Sequence, residues 1–93
     1  KGIDCVVEMK FRDVYYDTKM LEKAKYDSLM KLHLVKIYYV SDPKGKYLFW
    51  LDKLKIPKIE KRYCPSTTMW NTKKELKDVY LLEESLASRI ILN

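Results

Sequence analysis

The feature that most constrains the fold is the segment 42–45, Asp-Pro-Lys-Gly, which separates two runs rich in Val, Ile, Tyr and Phe. Proline presets one dihedral angle of a tight turn, and we expect Gly45 to adopt the positive φ that such a turn requires. The flanking runs, residues 34–41 and 46–51, have the β-branched and aromatic composition that is typical of strands. The sequence therefore predicts a β-hairpin over residues 34–51.

The residues before the hairpin predict a strand followed by a helix. Residues 3–12 form a strand-like run, and Asp17 and Thr18 are residue types that cap a helix. Residues 19–33 then place Leu and Ala at three- and four-residue spacing, with most lysines off that apolar stripe. We expect a helix over 19–33, in which His33 is a C-terminal residue rather than a ligand or base.

The residues after the hairpin complete a mixed sheet. Residues 53–74 have two prolines and no clean period, so they predict an extended connection with an edge strand at 54–59. Residues 76–82 predict a strand, and 85–92 have the apolar spacing of a terminal helical turn. The predicted order is β-α-β-β-β-(α), an α/β or α+β fold with a mixed sheet and one main helix, in a single small domain, 1–93.

The composition sets limits on the surroundings of this domain. Hydrophobic residues make up 47% of the chain, which argues against disorder. No apolar run approaches the ~20 residues that cross a bilayer, and no signal peptide is visible, so we expect a soluble, cytoplasmic protein without a membrane partner. With only Cys5 and Cys64, we expect reduced thiols in or near the core.

Because the first residue is Lys1, the chain is expected to have lost its start or to be an excised part of a longer protein. The expected protein partner is a second copy in a homodimer or the remainder of a longer chain.

Positive charge is concentrated in one segment. The net charge is +6, and residues 53–74 contain seven cations and the single acid Glu60, which accounts for all of it. Such a segment with Tyr63 and Trp70 favours contact with a phosphate backbone and stacking on bases, whereas the alternative is a solvated, lysine-rich loop. The predicted nucleic-acid contacts are Lys53, Lys55, Lys58, Lys61, Arg62, Lys73, Lys74 and Trp70.

Glu8 and Lys10 are the catalytic-looking pair in the sequence. Two residues apart in a strand, they project to the same face about 6.6 Å from each other. This spacing lets the carboxylate hold a divalent metal while the ammonium lies beside the same phosphate or attacking water. The alternative is an exposed pair that contributes well under about 1 kcal/mol. The side chains expected to pack into the core from the opposite face are Cys5, Val7, Met9 and Phe11.

The Glu8-Met9-Lys10 strand, the helix after Tyr-Asp-Thr and the following Val/Ile/Tyr strand resemble the PD-(D/E)XK nuclease-like superfamily over roughly residues 3–41. The resemblance implies a restriction-endonuclease-like core and metal-dependent hydrolysis of nucleic-acid phosphodiesters, with Mg²⁺ or Mn²⁺ as cofactor and DNA in preference to RNA. It also implies that Glu8 and the backbone carbonyl of Met9 are metal ligands, and that Lys10 helps to activate water and to stabilise charge.

The first aspartate of that superfamily has no counterpart here. The only acid before Glu8 is Asp4, about 13 Å along the same strand, which is too far for both to bind one Mg²⁺. Three interpretations stay open: an excised part of a nuclease, a site completed by another chain, or a degenerate relative. The degenerate relative would be a non-catalytic module that binds nucleic acid or protein.

Overall fold

The computed structural model describes residues 4–65 and 74–93, which form an α+β fold. The main elements in chain order are β1 Cys5–Phe11, β2 Thr18–Glu22, α1 Lys23–Met30, β3 Val35–Asp42, β4 Gly45–Trp50, β5 Glu60–Pro65, β6 Lys74–Glu83 and β7 Arg89–Leu92. A short 3₁₀ turn, Glu84–Leu86, links β6 to β7.

The strands form two sheets rather than the one mixed sheet that the sequence predicts. Sheet A has the order β1-β3-β4-β7, in which β1 is parallel to β3 and the other neighbours are antiparallel. Sheet B has the order β2-β6-β5 and is antiparallel throughout. The helix α1 packs against β2 and β6. A mixed α+β class, with one α-helix among the described residues, is therefore confirmed.

The core lies between the inner face of sheet A and the side chains of sheet B and α1. Alternate residues of β3 and β4 are buried, as expected for strands with one face in the core. Phe49 is completely buried, and a side chain of this kind stabilises the fold by roughly 1.5–3 kcal/mol relative to its exposed state. The buried cluster is Leu21, Leu29, Tyr38, Val40, Tyr47, Phe49, Leu51, Tyr80 and Leu82.

The predicted hairpin is confirmed, but its glycine has a different role. β3 and β4 pair from Ile37↔Trp50 to Asp42↔Gly45. Asp42 Oδ1 accepts hydrogen bonds from the N–H groups of Lys44 (2.8 Å) and Gly45 (3.0 Å), which closes the turn. Gly45 does not have a positive φ, so that expectation is wrong. A Cβ at this position would lie 2.5 Å from the carbonyl oxygen of Ile91, so glycine is needed for the close approach of β7.

The predicted helix over residues 19–33 is wrong in its first part. Residues 18–22 form β2, in which Lys19 and Leu21 are buried in the alternating pattern of a strand. Pairing with β6 outweighs the helical spacing, because it places Lys19 and Leu21 beside the buried residues Leu82 and Tyr80. The helix begins only at Lys23, so Asp17 and Thr18 do not cap it. His33 is exposed and lies beyond the end of α1.

The last part of the chain also departs from the predictions. Residues 54–59 are not a strand, and β5 begins at Glu60. The predicted strand at 76–82 is confirmed and is longer, since β6 spans Lys74–Glu83. In place of a terminal helix, β7 pairs with β4. Pairing with an available sheet edge satisfies backbone groups that one isolated helical turn would leave to solvent.

Candidate nucleic-acid interface

Glu8 and Lys10 lie on the inner face of sheet A, at its edge. The parallel register places them beside the buried residues Tyr38 and Val40 of β3, so all four side chains share the core-facing side. The expectation that the opposite side chains of β1 fill the core is wrong. These side chains lie on the outer face of sheet A and are exposed: Cys5, Val7 (44%), Met9 (55%) and Phe11 (67%). The reason is that α1 and sheet B pack on the inner side.

A small pocket surrounds Glu8 and Lys10. Its volume is about 40 Å³, space for a water or two rather than for a nucleotide. Glu8 Oε2 lies 3.6 Å from Lys25 Nζ, a partly exposed ion pair. The buried hydroxyl of Tyr38 donates to the carbonyl oxygen of Met20 (2.6 Å), and burial raises the pKa of Tyr38 to about 12. The charged side chains that line the pocket are Glu8, Lys10, Arg12, Glu22 and Lys25.

The donor atoms around Glu8 do not fit a Mg²⁺ centre. Mg²⁺ requires near-octahedral oxygen ligands, usually including carboxylates. The other carboxylate of the pocket, Glu22, pairs with Lys77 at 3.2 Å, and three cations line the same small space. In residues 4–65 and 74–93, no three His, Cys, Asp or Glu side chains are grouped as metal ligands. The carbonyl of Met9 projects from the open edge of β1, away from the ladder with β3.

The predicted basic segment is dispersed in the structure. Lys53 Nζ lies 3.9 Å from the ring centroid of Trp50, and exposed Lys55 and Lys58 follow in the connection before β5. Lys61 pairs with Asp78 at 2.7 Å, across sheet B. Exposed ion pairs of this kind contribute little to stability. Of the remaining predicted contacts, Lys73 and Trp70 lie outside the described residues.

Two members of the segment, Arg62 and Lys74, line a larger cleft. This cleft has a volume of about 460 Å³, within the range of small-molecule and nucleotide sites. Arg12, from the end of β1, lines it as well and also borders the Glu8–Lys10 pocket. The side chains of Tyr16 and Tyr63 are 56% and 70% exposed and line the same cleft. Besides the buried Lys19, the cleft therefore combines three cations with two accessible aromatic rings.

The acid in the cleft lining is already neutralised. Asp42 pairs with Lys19 at 2.9 Å, and both side chains are almost completely buried. Burial alone would raise the pKa of Asp42, but hydrogen bonds from Lys19 and from two backbone N–H groups outweigh it and hold the pKa below its ordinary value. Arg62 pairs with Glu60 at 3.0 Å while its guanidinium stays about half exposed. Among the described lining residues, the charge available to a ligand is thus positive.

Sequence reasoning missed Arg12 as part of this surface. Arg12 is distant in sequence from the basic segment, and only the packing of sheet A against sheet B brings it into the same cleft as Arg62. Tyr16 stands in the sequence Tyr-Tyr-Asp-Thr, whose pattern indicates one buried and one exposed ring without showing which. In the structure Tyr15 is half-buried and its hydroxyl donates to Glu84 Oε2 at 2.5 Å, which leaves Tyr16 exposed.

No family model, curated protein or solved structure matches this chain. The geometry of the chain itself therefore carries any functional assignment. Among the described residues, no helix is long and apolar enough to cross a bilayer.

Proposed function

We propose that this chain is a non-catalytic nucleic-acid-binding module that holds a single-stranded segment in the cleft between Arg12, Arg62 and Lys74. The observation that carries the proposal is the combination of these three cations with the exposed rings of Tyr16 and Tyr63 in one 460 Å³ space. Cations neutralise phosphates, and aromatic side chains stack on unpaired bases whatever their sequence. A single strand supplies both partners, whereas the bases of a duplex are already stacked on each other.

The cleft proposal predicts which lysines and arginines matter. Replacement of Arg12, Arg62 and Lys74 by Gln should weaken binding of a fluorescein-labelled oligo(dT) by at least about tenfold, and should reduce the slope of log K against log[salt] by about 2. The measurement is fluorescence anisotropy over a salt series. The matched control removes the same charge from the preceding connection: Lys53, Lys55 and Lys58 replaced by Gln.

The control should retain most of the affinity and of the salt slope. If the control variant loses as much as the cleft variant, binding follows the total charge rather than the cleft. If the control loses more, the main contact lies on the connection before β5 rather than in the cleft. Tyr63→Ala should in addition cost about 1–3 kcal/mol of binding free energy if its ring stacks on a base. Unchanged affinity of the cleft variant would overturn the proposal.

A metal-dependent nuclease of the PD-(D/E)XK type is the second candidate function. It is favoured by one observation: Glu8 and Lys10 line one pocket, and Arg12 connects that pocket to the cleft. Any metal would need oxygen ligands beyond Glu8 and the Met9 carbonyl. This candidate predicts cleavage of labelled DNA in Mg²⁺ or Mn²⁺ that Glu8→Gln and Lys10→Ala abolish. The binding-module proposal predicts no cleavage and equal affinity in EDTA.

A further inference from the structure

Among the described residues, no strand pairs with the backbone groups along the outer edge of β1. The carbonyl oxygen of Asp4 accepts from the N–H of Val35 (3.3 Å), and the N–H of Arg12 donates to Ser41 (2.8 Å). Because the backbone groups of successive strand residues point to opposite edges, the N–H and C=O groups of the even-numbered residues of β1 point to β3. Those of the odd-numbered residues point to the open edge. A strand edge of this kind is a template for another chain.

The side chains along this edge are apolar on one face and charged on the other. Val7, Met9 and Phe11 lie exposed on the outer face, where the ring of Phe11 meets Tyr39 edge-on at a centroid distance of 6.1 Å. Glu8 and Lys10 lie on the inner face. Natural edge strands are usually blunted by charge, proline or a covering element. Within the part of the chain that the structure describes, the outer face of β1 has none of these over Val7–Phe11.

We propose that β1 is a homodimerisation edge, at which two copies of the chain pair antiparallel about a two-fold axis through Met9. Met9 then lies opposite Met9 of the second copy, and Val7 lies opposite Phe11. These odd-numbered residues exchange the backbone hydrogen bonds that the open edge leaves unmade. The two four-stranded sheets become one continuous sheet, and the exposed apolar side chains of both copies come into contact.

Charge complementarity selects a second copy as the occupant. With the axis at Met9, Glu8 of each copy lies opposite Lys10 of the other, so two opposite-charge pairs form by symmetry. These pairs occupy non-hydrogen-bonded positions, where the Cα atoms are only about 4.5 Å apart and the side chains are closest. A shift of the axis by one residue would place Glu8 opposite Glu8, or Lys10 opposite Lys10. Charge therefore favours an axis at Met9 over an axis at either neighbouring residue.

Glu8 already forms an ion pair with Lys25, but this pair is weak enough for Glu8 to bind Lys10 of a second copy instead. Lys25 Nζ lies 3.6 Å from Glu8 Oε2, and both side chains are partly exposed. Pairs of this kind contribute little, so the carboxylate can turn toward Lys10 of the second copy. A contact of one strand pair buries a small area, and we expect a weak dimer with a dissociation constant in the micromolar range.

The first experiment is a charge swap read by sedimentation equilibrium. Glu8→Lys and Lys10→Glu each create like-charge pairs and should raise the dissociation constant of the dimer by about tenfold or more. The double variant restores opposite charges and should restore the dimer. The control Lys58→Glu changes net charge by the same amount as Lys10→Glu, away from the edge, and should leave the dimer intact. Circular dichroism checks that each variant folds.

The second experiment tests the register by oxidation of cysteines, in a Cys5→Ser background. Met9→Cys places two thiols on the axis, where the Cα atoms of a hydrogen-bonded pair are about 5.5 Å apart, within the range of disulfides. It should form a covalent dimer, and Phe11→Cys alone should not, because Val7 lies opposite. A monomeric wild type, a double variant that stays monomeric, or cross-linking of Phe11→Cys in place of Met9→Cys would each overturn the proposal.

Discussion

Lys19 is a buried cation with an unusually complete set of partners. Its Nζ donates to Asp42 Oδ2 (2.9 Å) and to the carbonyl oxygen of Tyr16, and it lies 3.3 Å from Glu84 Oε2. The rings of Tyr15 and Tyr47 lie 4.3 and 4.1 Å from the ammonium. A buried charge is tolerated only when it is paired and hydrogen-bonded. These contacts connect β2, the β3–β4 turn and the 3₁₀ turn through one side chain.

Removal of one partner from this network should be costly. Asp42→Asn leaves the ammonium of Lys19 buried without its main counter-charge, and we expect a loss of about 3 kcal/mol of unfolding free energy at neutral pH. The matched control is Asp78→Asn, which breaks the exposed pair with Lys61 and should cost under about 1 kcal/mol. Urea unfolding of the two variants provides the measurement. Equal losses of unfolding free energy would show that the buried pair stabilises the fold no more than the exposed pair does.

The contribution of Asp42 to the free energy of unfolding should depend on pH in a definite direction. Because the pKa of Asp42 is lower in the folded chain than its ordinary value of 3.8, the unfolded chain binds the proton more readily. The stabilisation by Asp42 is therefore fully present above the ordinary value and is lost as the pH falls through the lower, folded value. In the same urea series, the wild type should lose more stability in acid than Asp42→Asn does.

At the scale of elements, β7 depends on the absence of a side chain at Gly45. Gly45→Ala places a Cβ within 2.5 Å of the backbone oxygen of Ile91, and backbone atoms cannot yield as a flexible side chain would. We expect a loss of about 1–3 kcal/mol, and faster amide hydrogen exchange confined mainly to β7 and its partner β4. Lys46→Ala, one position along the same strand, is the control. Unchanged exchange in β7 would contradict this account of the glycine.

The elements differ in how well the sequence predicts them, and the difference follows from where their partners lie. β3 and β4 were predictable because the turn and both strands are adjacent in the chain. β2 and β7 were not, since their conformation depends on pairing with β6 and β4, which the local pattern cannot show. For β1 the sequence predicts the alternation of side chains between two faces, but it does not show which face α1 and sheet B cover. Arg12 was missed as a cleft residue for the same reason, whereas Arg62 and Lys74 belong to the segment that the sequence predicts.

For the whole molecule, the distribution of charge matters more than its total. The net charge of +6 arises from one segment of the sequence, yet ion pairs within sheet B use part of it, as in Lys61–Asp78 and Arg62–Glu60. What is concentrated in space is the cation set of the cleft, which combines Arg12 from one end of the chain with Arg62 and Lys74. The charge along the sequence favours nucleic acid, the partner proposed here. Only the fold shows which residues would form the contact.

The pairing of β2 with β6 has a consequence for the order in which the chain assembles. The hairpin of β3 and β4 joins neighbouring residues and can form early, whereas Thr18 pairs with Glu83, near the opposite end of the chain. Closure of so large a loop is slow, because its entropy must be lost before any contact compensates. On the ribosome, Leu21 and its neighbours in β2 must therefore wait, unpaired, until β6 has emerged. Among the described strands, β2 has the partner farthest along the chain, so we expect it to stay open to wrong pairing longest during synthesis.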